Sequence, residues 1–290
     1  MSSTSAPSPT SSPRTWLVTG ASRGLGLDLT RQLLDAGESV AATTRSADRL
    51  LDALGDAPTD RLLPLELDLA DGDAVARAVA QAVERFGGLD VVVNNAGYGF
   101  LAAVEEISDA EARRMFDVQV FGVLNVLRAA LPVMRGQGSG HVVNVSSILG
   151  HLAFPGWGLY SAGKFALNGL TEALAAEVAD HGITVNLVEP GYMRTDFLRP
   201  VSLGLPDATI DGYAAIREMT AAHQDMPGTQ LGDPARAAAA IIALVDSGDA
   251  PLHQLLGSDS LALIEGALAS ISEQVEAGRS LAVTSDVPAA

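Results

Sequence analysis

Seven short runs of β-branched and aliphatic residues recur along the chain, each followed by a stretch with helical spacing. They are TWLVT (15–19), SVAATT (39–44), RLLPLEL (61–67), LDVVVNN (89–95), HVVNVS (141–146), ITVNLV (183–188) and LHQLL (252–256). Runs this short and this uniformly apolar suit strands covered on both faces. Strands that alternate with helices join as parallel neighbours through crossovers, so the pattern predicts a doubly wound α/β sheet. Two helix starts are legible as well. SDAE (108–111) is a capping box with Ser108 as N-cap and Glu111 reaching back, and DPAR (233–236) sets Asp233 before Pro234 at the first helical position. In such sheets ligands sit at the carboxyl ends of the strands, near the point where the strand order reverses.

A chain of 290 residues is long enough to bury its core without staples, and its lack of cysteine excludes disulfides, thiolate metal sites and a cysteine nucleophile. Lys+Arg 18 against Asp+Glu 35 gives a formal charge of −17, which argues against nucleic acid or an anionic membrane as a partner. No apolar run reads as a membrane span, and a cytoplasmic setting is expected. The Ser/Thr/Pro-rich start, residues 1–14, reads as a disordered tail, and 280–290 is expected to fray. A single domain is expected over 15–279.

The first strand runs directly into TGASRGLGLDLTRQLL, where Gly20, Gly24 and Gly26 enclose Ser22, Arg23 and Leu25. Glycines at a strand-to-helix turn let the backbone approach a pyrophosphate that the helix N-terminus stabilises, which favours a dinucleotide over an ordinary turn. A site for NAD places an acid at the end of the second strand for the ribose 2′-hydroxyl. Here Thr44 and Arg45 stand there instead, with Arg23 available to flank them, and an arginine fork suits a 2′-phosphate. The expected cofactor is therefore NADP(H).

In LYSAGKFALNGLTEAL (159–174), Tyr160 and Lys164 share one face of a helix. Alone, that pair fits helix decoration as readily as a proton donor beside a cation. Taken in order, TGASRGLG (19–26), NNAG (94–97), VNVSS (143–147), YSAGK (160–164) and PGYMRT (190–195) make residues 15 to about 200 resemble the short-chain dehydrogenase/reductase family. FPGWGLYSAGKFALNGL (154–170) is similar to its hydroxysteroid and retinol dehydrogenase branch.

The resemblance implies a Rossmann-type sheet of seven parallel strands with helices on both faces. It implies that Tyr160 exchanges the substrate proton, that Lys164 lowers the tyrosine's pKa and holds the nicotinamide ribose, and that Ser147 positions the substrate oxygen. Ser146 is the rival for that last role, and the family's spacing favours Ser147. Asp68 and Leu69 would meet the adenine, Asn95, Ala96 and Gly97 its ribose, and Val118 the cofactor from the next helix. Pro190, Gly191, Met193 and Thr195 would wrap the carboxamide, while Asn94 braces neighbouring strands. Gln119 stands where the family has an asparagine that supports a proton-relay water.

A loosely patterned stretch at about 191–228 reads as a substrate lid. Its apolar residues include Tyr192, Met193, Phe197, Leu198, Leu203, Tyr213 and Met219, with Phe100, Leu149, Phe154 and Trp157 expected opposite. The five histidines show no metal-ligand spacing, no metal is expected, and only His151 and His223 are placed near the cleft. The expected function is an NADPH-dependent ketoreductase acting on a bulky, largely apolar ketone or aldehyde, or the reverse oxidation. The alternatives are non-redox chemistry on the same fold, such as cyclisation, dehydration or epimerisation, and a non-catalytic NADPH-binding protein. Family members pair through helices corresponding to 108–134 and 156–180, so a homo-oligomer, dimer or tetramer, is expected.

Overall fold

The computed structural model describes residues 12–287. Residues 1–11 of the stretch expected to be a disordered tail, and residues 288–290, lie outside the described residues. Arg14 is already tied to the body, its guanidinium 3.0 Å from Glu38 and 2.8 Å from Asp246. The residue just before the first strand is thus held by charge.

In chain order the elements are β1 (Thr15–Val18), α1 (Gly24–Asp35), β2 (Ser39–Thr44), α2 (Ala47–Leu54), β3 (Leu62–Glu66), α3 (Gly72–Phe86), β4 (Val91–Asn94) and β5 (Gly99–Phe100). There follow α4 (Asp109–Phe116), α5 (Gly122–Gln137), β6 (Gly140–Val145), α6 (Gly158–Val178), β7 (Ile183–Pro190) and β8 (Leu203–Gly204). The chain ends with α7 (Ala214–Gln224), α8 (Pro234–Ser247), β9 (His253–Leu256) and α9 (Ser258–Ala282). All seven predicted strands join one parallel sheet of order β3-β2-β1-β4-β6-β7-β9.

Strand alternation splits the sheet residues between two cores. Trp16, Val18, Val40 and Val93 face Leu29, Leu33 and Ile241 of α1 and α8, whereas Leu17, Ala41 and Val92 face Val79, Val126 and Leu167 of α3, α5 and α6. A third apolar cluster, including Phe100, Met115, Trp157, Tyr160 and Leu203, lies beyond these two cores and includes lid residues. The short β5–β8 pair, Gly99 opposite Leu203, fastens the lid segment to the loop after β4.

Both predicted caps form. Ser108 Oγ accepts from the Glu111 N–H while the Glu111 carboxylate accepts from the Ser108 N–H at 2.8 Å, and Asp233 accepts from Ala235 N–H at 2.9 Å. Helices α4 and α5 are continuous through a π-turn, Asp117–Phe121, giving a helix Asp109–Gln137 long and apolar enough to cross a membrane. That corrects the expectation of no such run. Its charged first turns interrupt the apolar pattern in the sequence, and α5 uses Val123, Val126, Leu127, Ala130 and Met134 to cover the sheet. Helix α9 continues to Ala282 with a further turn at Val283–Ser285, so the chain is helical well into the stretch expected to fray.

The turn after β1 explains its glycines. Gly20 has φ +68°, and a Cβ there would lie 2.8 Å from Ala96 Cα. At Gly26 a Cβ would meet Gly20 O and Asn95 Nδ2, each at 2.5 Å. Because one of these is backbone, Gly26→Ala is expected to lower the unfolding free energy by about 1–3 kcal/mol. Urea denaturation measures this, and an unchanged midpoint with unchanged slope would show that the turn relaxes freely.

Candidate active site

A cleft of about 1070 Å³ opens at the carboxyl ends of β1, β4, β6 and β7. Every sequence-predicted cofactor residue lines it except Gly26, which packs inside α1 beneath the turn. The five predicted substrate residues, Leu149, Phe154, Trp157, Tyr192 and Phe197, line it too, as do Leu198 and Leu203. Phe100, Tyr213 and Met219 do not. Phe100 is buried beside the β5–β8 pair, Tyr213 donates outward to Glu105, and Met219 packs behind Gly156.

Side chains around β4 shape the nucleotide end. Asn95 Nδ2 donates to Thr19 O at 2.9 Å, and the N–H groups of Asn95 and Ala96 both donate to Thr19 Oγ1. Asn94 takes the bracing role, donating to Asn144 at 2.8 Å, which donates to Thr171. Arg23 and Arg45 are joined by Arg49, from the first turn of α2, which sequence reasoning missed. Burial, and next the positive charge of Arg45, hold the Arg23 guanidinium below its ordinary value. Among the described residues none of the three arginines forms an ion pair. Uncompensated guanidiniums gathered in a strongly acidic chain make an anion site.

Tyr160 enters on the first turn of α6 and Lys164 follows one turn later. Both are buried, and the Lys164 Nζ donates to Val145 O at 2.9 Å, 5.6 Å from the tyrosine ring centroid. Trp157 and Phe197 close on Tyr160 with centroids at 5.4 and 5.5 Å. That burial pushes the phenol above its ordinary value of 10.0, against a smaller lowering from the Ser147 hydroxyl. Among the chain's own groups the Ser147 hydroxyl, and not Lys164, is what opposes that rise. The phenol stays protonated at neutral pH, as a proton donor must. Burial also lowers Lys164 to about 8. Ser146, the rival serine, gives its hydroxyl to Asn168 at 2.5 Å, whereas Ser147 faces the tyrosine.

Gln119 sits in the π-turn, outside the cleft lining. Its Nε2 donates to Tyr98 O at 2.8 Å, and its buried Oε1 has no hydrogen-bond partner and points towards Gly163. The lid is anchored by buried carboxylates that carried no sequence signal for the task. Glu106 pairs with Arg217 and accepts from Ile210 N–H, and Glu111 accepts from Asp207 N–H at 2.9 Å. Neither His151 nor His223 lines the cleft. His223 stands behind the wall, with its Nε2 2.8 Å from the Tyr192 hydroxyl and its Nδ1 2.8 Å from Met219 O. Leu263 of α9 completes the lining and lies in a third of the chain that carries no motif.

An anion cradle at one end of a cleft and a buried, protonated acid at the other meet the needs of a nucleotide-dependent oxidoreductase. Comparisons agree. The family model for short chain dehydrogenases matches residues 14–205. Oxidoreductase BOA17 of Botryotinia fuckeliana is 34% identical over 270 residues, 93% of this chain and 98% of that protein. A short-chain dehydrogenase from Streptomyces avermitilis superposes with a TM-score of 0.86 at 37% identity, covering 96% of this chain and 100% of that one. A short-chain dehydrogenase from Burkholderia cenocepacia in complex with NADP is 29% identical with a TM-score of 0.70, covering 91% of this chain and 96% of that one. The chain belongs to the short-chain dehydrogenase/reductase family.

Lys164 is the only lysine in the sequence, which makes its titration directly observable. With 15N-lysine labelling, the single side-chain resonance of the protein without added nucleotide is expected to titrate with a midpoint near 8, below the ordinary 10.5. The ammonium is then present below that pH and lost above it. A midpoint at the ordinary value would mean that the amine is solvated, and the enclosed site would be wrong.

Proposed function

We propose that the protein is an NADPH-dependent reductase of bulky, largely apolar ketones or aldehydes. The observation that carries the nucleotide half is the meeting of Arg23, Arg45 and Arg49 where a 2′-phosphate would lie, with no acid from β2 to take a 2′-hydroxyl. The glycine turn fits the same group, since a side chain at Gly20 would collide with Ala96 and fill the approach to the backbone. Bound NADPH supplies a hydride to the carbonyl carbon.

The chain's own residues do the remainder. Tyr160 gives its phenolic proton to the carbonyl oxygen, and Ser147 holds that oxygen beside it. Lys164, charged below about pH 8, stabilises the phenolate left behind. The aromatic and aliphatic wall of Leu149, Phe154, Trp157, Tyr192, Phe197 and Leu203 excludes water and favours an apolar substrate. Pairing of two copies through α4, α5 and α6 belongs to the same proposal, supported by Phe121 and Phe165, which stand about half exposed on that face.

Two measurements test this. Arg45→Ala is expected to weaken NADPH binding by at least about tenfold, roughly 1.4 kcal/mol, with much less effect on NADH. An equal loss for both nucleotides would remove the 2′-phosphate assignment. In a screen of carbonyl compounds followed by NADPH absorbance, turnover is expected for apolar ketones, and Tyr160→Phe should abolish it while leaving NADPH affinity nearly unchanged. Full residual turnover in that variant would mean that another group is the acid.

A further inference from the structure

Behind Ser146, away from the nucleotide end, two histidines far apart in sequence converge on one carboxylate. Glu189, the penultimate residue of β7, is fully buried. His151, from the turn that follows Ser147, brings its Nε2 to 2.6 Å from Glu189 Oε1. His253, the first residue of β9, sets its Nδ1 3.2 Å from Glu189 Oε2. One ligand atom from each of the three lies within 4.8 Å of the others. The histidines' sequence spacing gave no sign of this, because the sheet order makes the contact.

Two features distinguish the cluster from a chance meeting of polar groups. The remote nitrogen of His253, Nε2, lies 3.6 Å from Glu172 Oε1, so a second carboxylate stands beside that imidazole without hydrogen-bonding to it. Asn168 Nδ2 donates to Glu189 Oε1 at 2.9 Å and stands 3.3 Å from His151 Nε2, while its Oδ1 accepts from Ser146, so one amide fixes the carboxylate and the facing imidazole together. Both imidazoles are partly exposed, at 24% and 34%, which leaves a route from solvent. Two imidazoles and one carboxylate with an open side form a donor set that zinc accepts, three protein ligands and a fourth position.

We propose that His151, Glu189 and His253 bind one divalent transition-metal ion of the Zn²⁺ type. Ligand atoms about 2.0–2.1 Å from a tetrahedral ion stand about 3.3 Å apart, so His151 must swing outward from its hydrogen bond when the ion enters. The bound ion ties the turn after Ser147 to the end of β7, next to Pro190 and Gly191, and to β9. It braces the floor of the cleft from outside and touches no reacting atom.

The test uses the full chain, stripped with a chelator and dialysed, without nucleotide or carbonyl substrate, so its result is independent of the proposed reaction. Titration with Zn²⁺ by calorimetry is expected to show one site, with a rise in melting temperature. His151→Gln and His253→Gln, each checked for native circular dichroism, are expected to weaken binding by at least about tenfold. No heat of binding, or equal affinity in both variants, would overturn the assignment and leave the trio as a hydrogen-bonded brace. Co²⁺ absorption by the unaltered chain needs no variant. Intense d–d bands of a four- or five-coordinate site are expected, and a weak octahedral spectrum would overturn the proposal.

Discussion

Strand β1 hydrogen-bonds to β2 on one edge and to β4 on the other, with Leu17 opposite both Ala41 and Val92. Every later position follows from that double pairing. The chain must wind outward from β1 in one direction through β2 and β3, then return and wind outward in the other. Helices α1 and α3 therefore pack on opposite faces, against separate cores. Between the first turns of the two windings the sheet is left open at its carboxyl end. The bonds from Asn95 and Ala96 to Thr19 close the base of that crevice, so the glycine turn is held by the strand across the switch as well as by its own helix.

Burial does opposite things to the two titrating residues of the site. It raises the phenol of Tyr160 and lowers the amine of Lys164, so each is pushed towards its neutral form. A neutral phenol is the proton-loaded state, whereas a neutral lysine has lost the charge that would stabilise a phenolate. The pair is thus poised by desolvation, and an anion arriving near Lys164 would restore its charge. The acidic surface works in the same direction at longer range. With a formal charge of −17, the chain still sets Arg23, Arg45 and Arg49 together at the cleft, where an arriving anion meets them.

Much of this was legible in the sequence because it rests on local pattern. Seven apolar runs marked seven strands, since a parallel strand is covered on both faces and needs no polar alternation. The glycine turn, Ser147, Tyr160 and Lys164 were legible because each sits at a fixed offset from a strand end. What escaped notice depends on distant contacts. Arg49 joins Arg23 and Arg45 only when α2 docks beside the turn, and Leu263 reaches the cleft only because α9 begins beside Gly191, where Asp259 accepts from Tyr192 N–H at 2.8 Å. The enclosure of Tyr160 was equally hidden, because Trp157 and Phe197 close on it from separate segments. His151 and His253 are brought together by the neighbouring of β6, β7 and β9, which no spacing along the chain encodes.

Seventeen of the eighteen basic side chains are arginines, and the one lysine is 4% exposed. To any reagent or enzyme that acylates, alkylates or tags lysine side chains, the folded surface offers no side-chain target. The exception lies under Tyr160, at the end of a cleft that nucleotide would fill. Covalent lysine labelling therefore becomes a measure of how often that end of the cleft opens to a reagent. The protein carries a built-in gauge of its own opening, at the residue on which its chemistry turns.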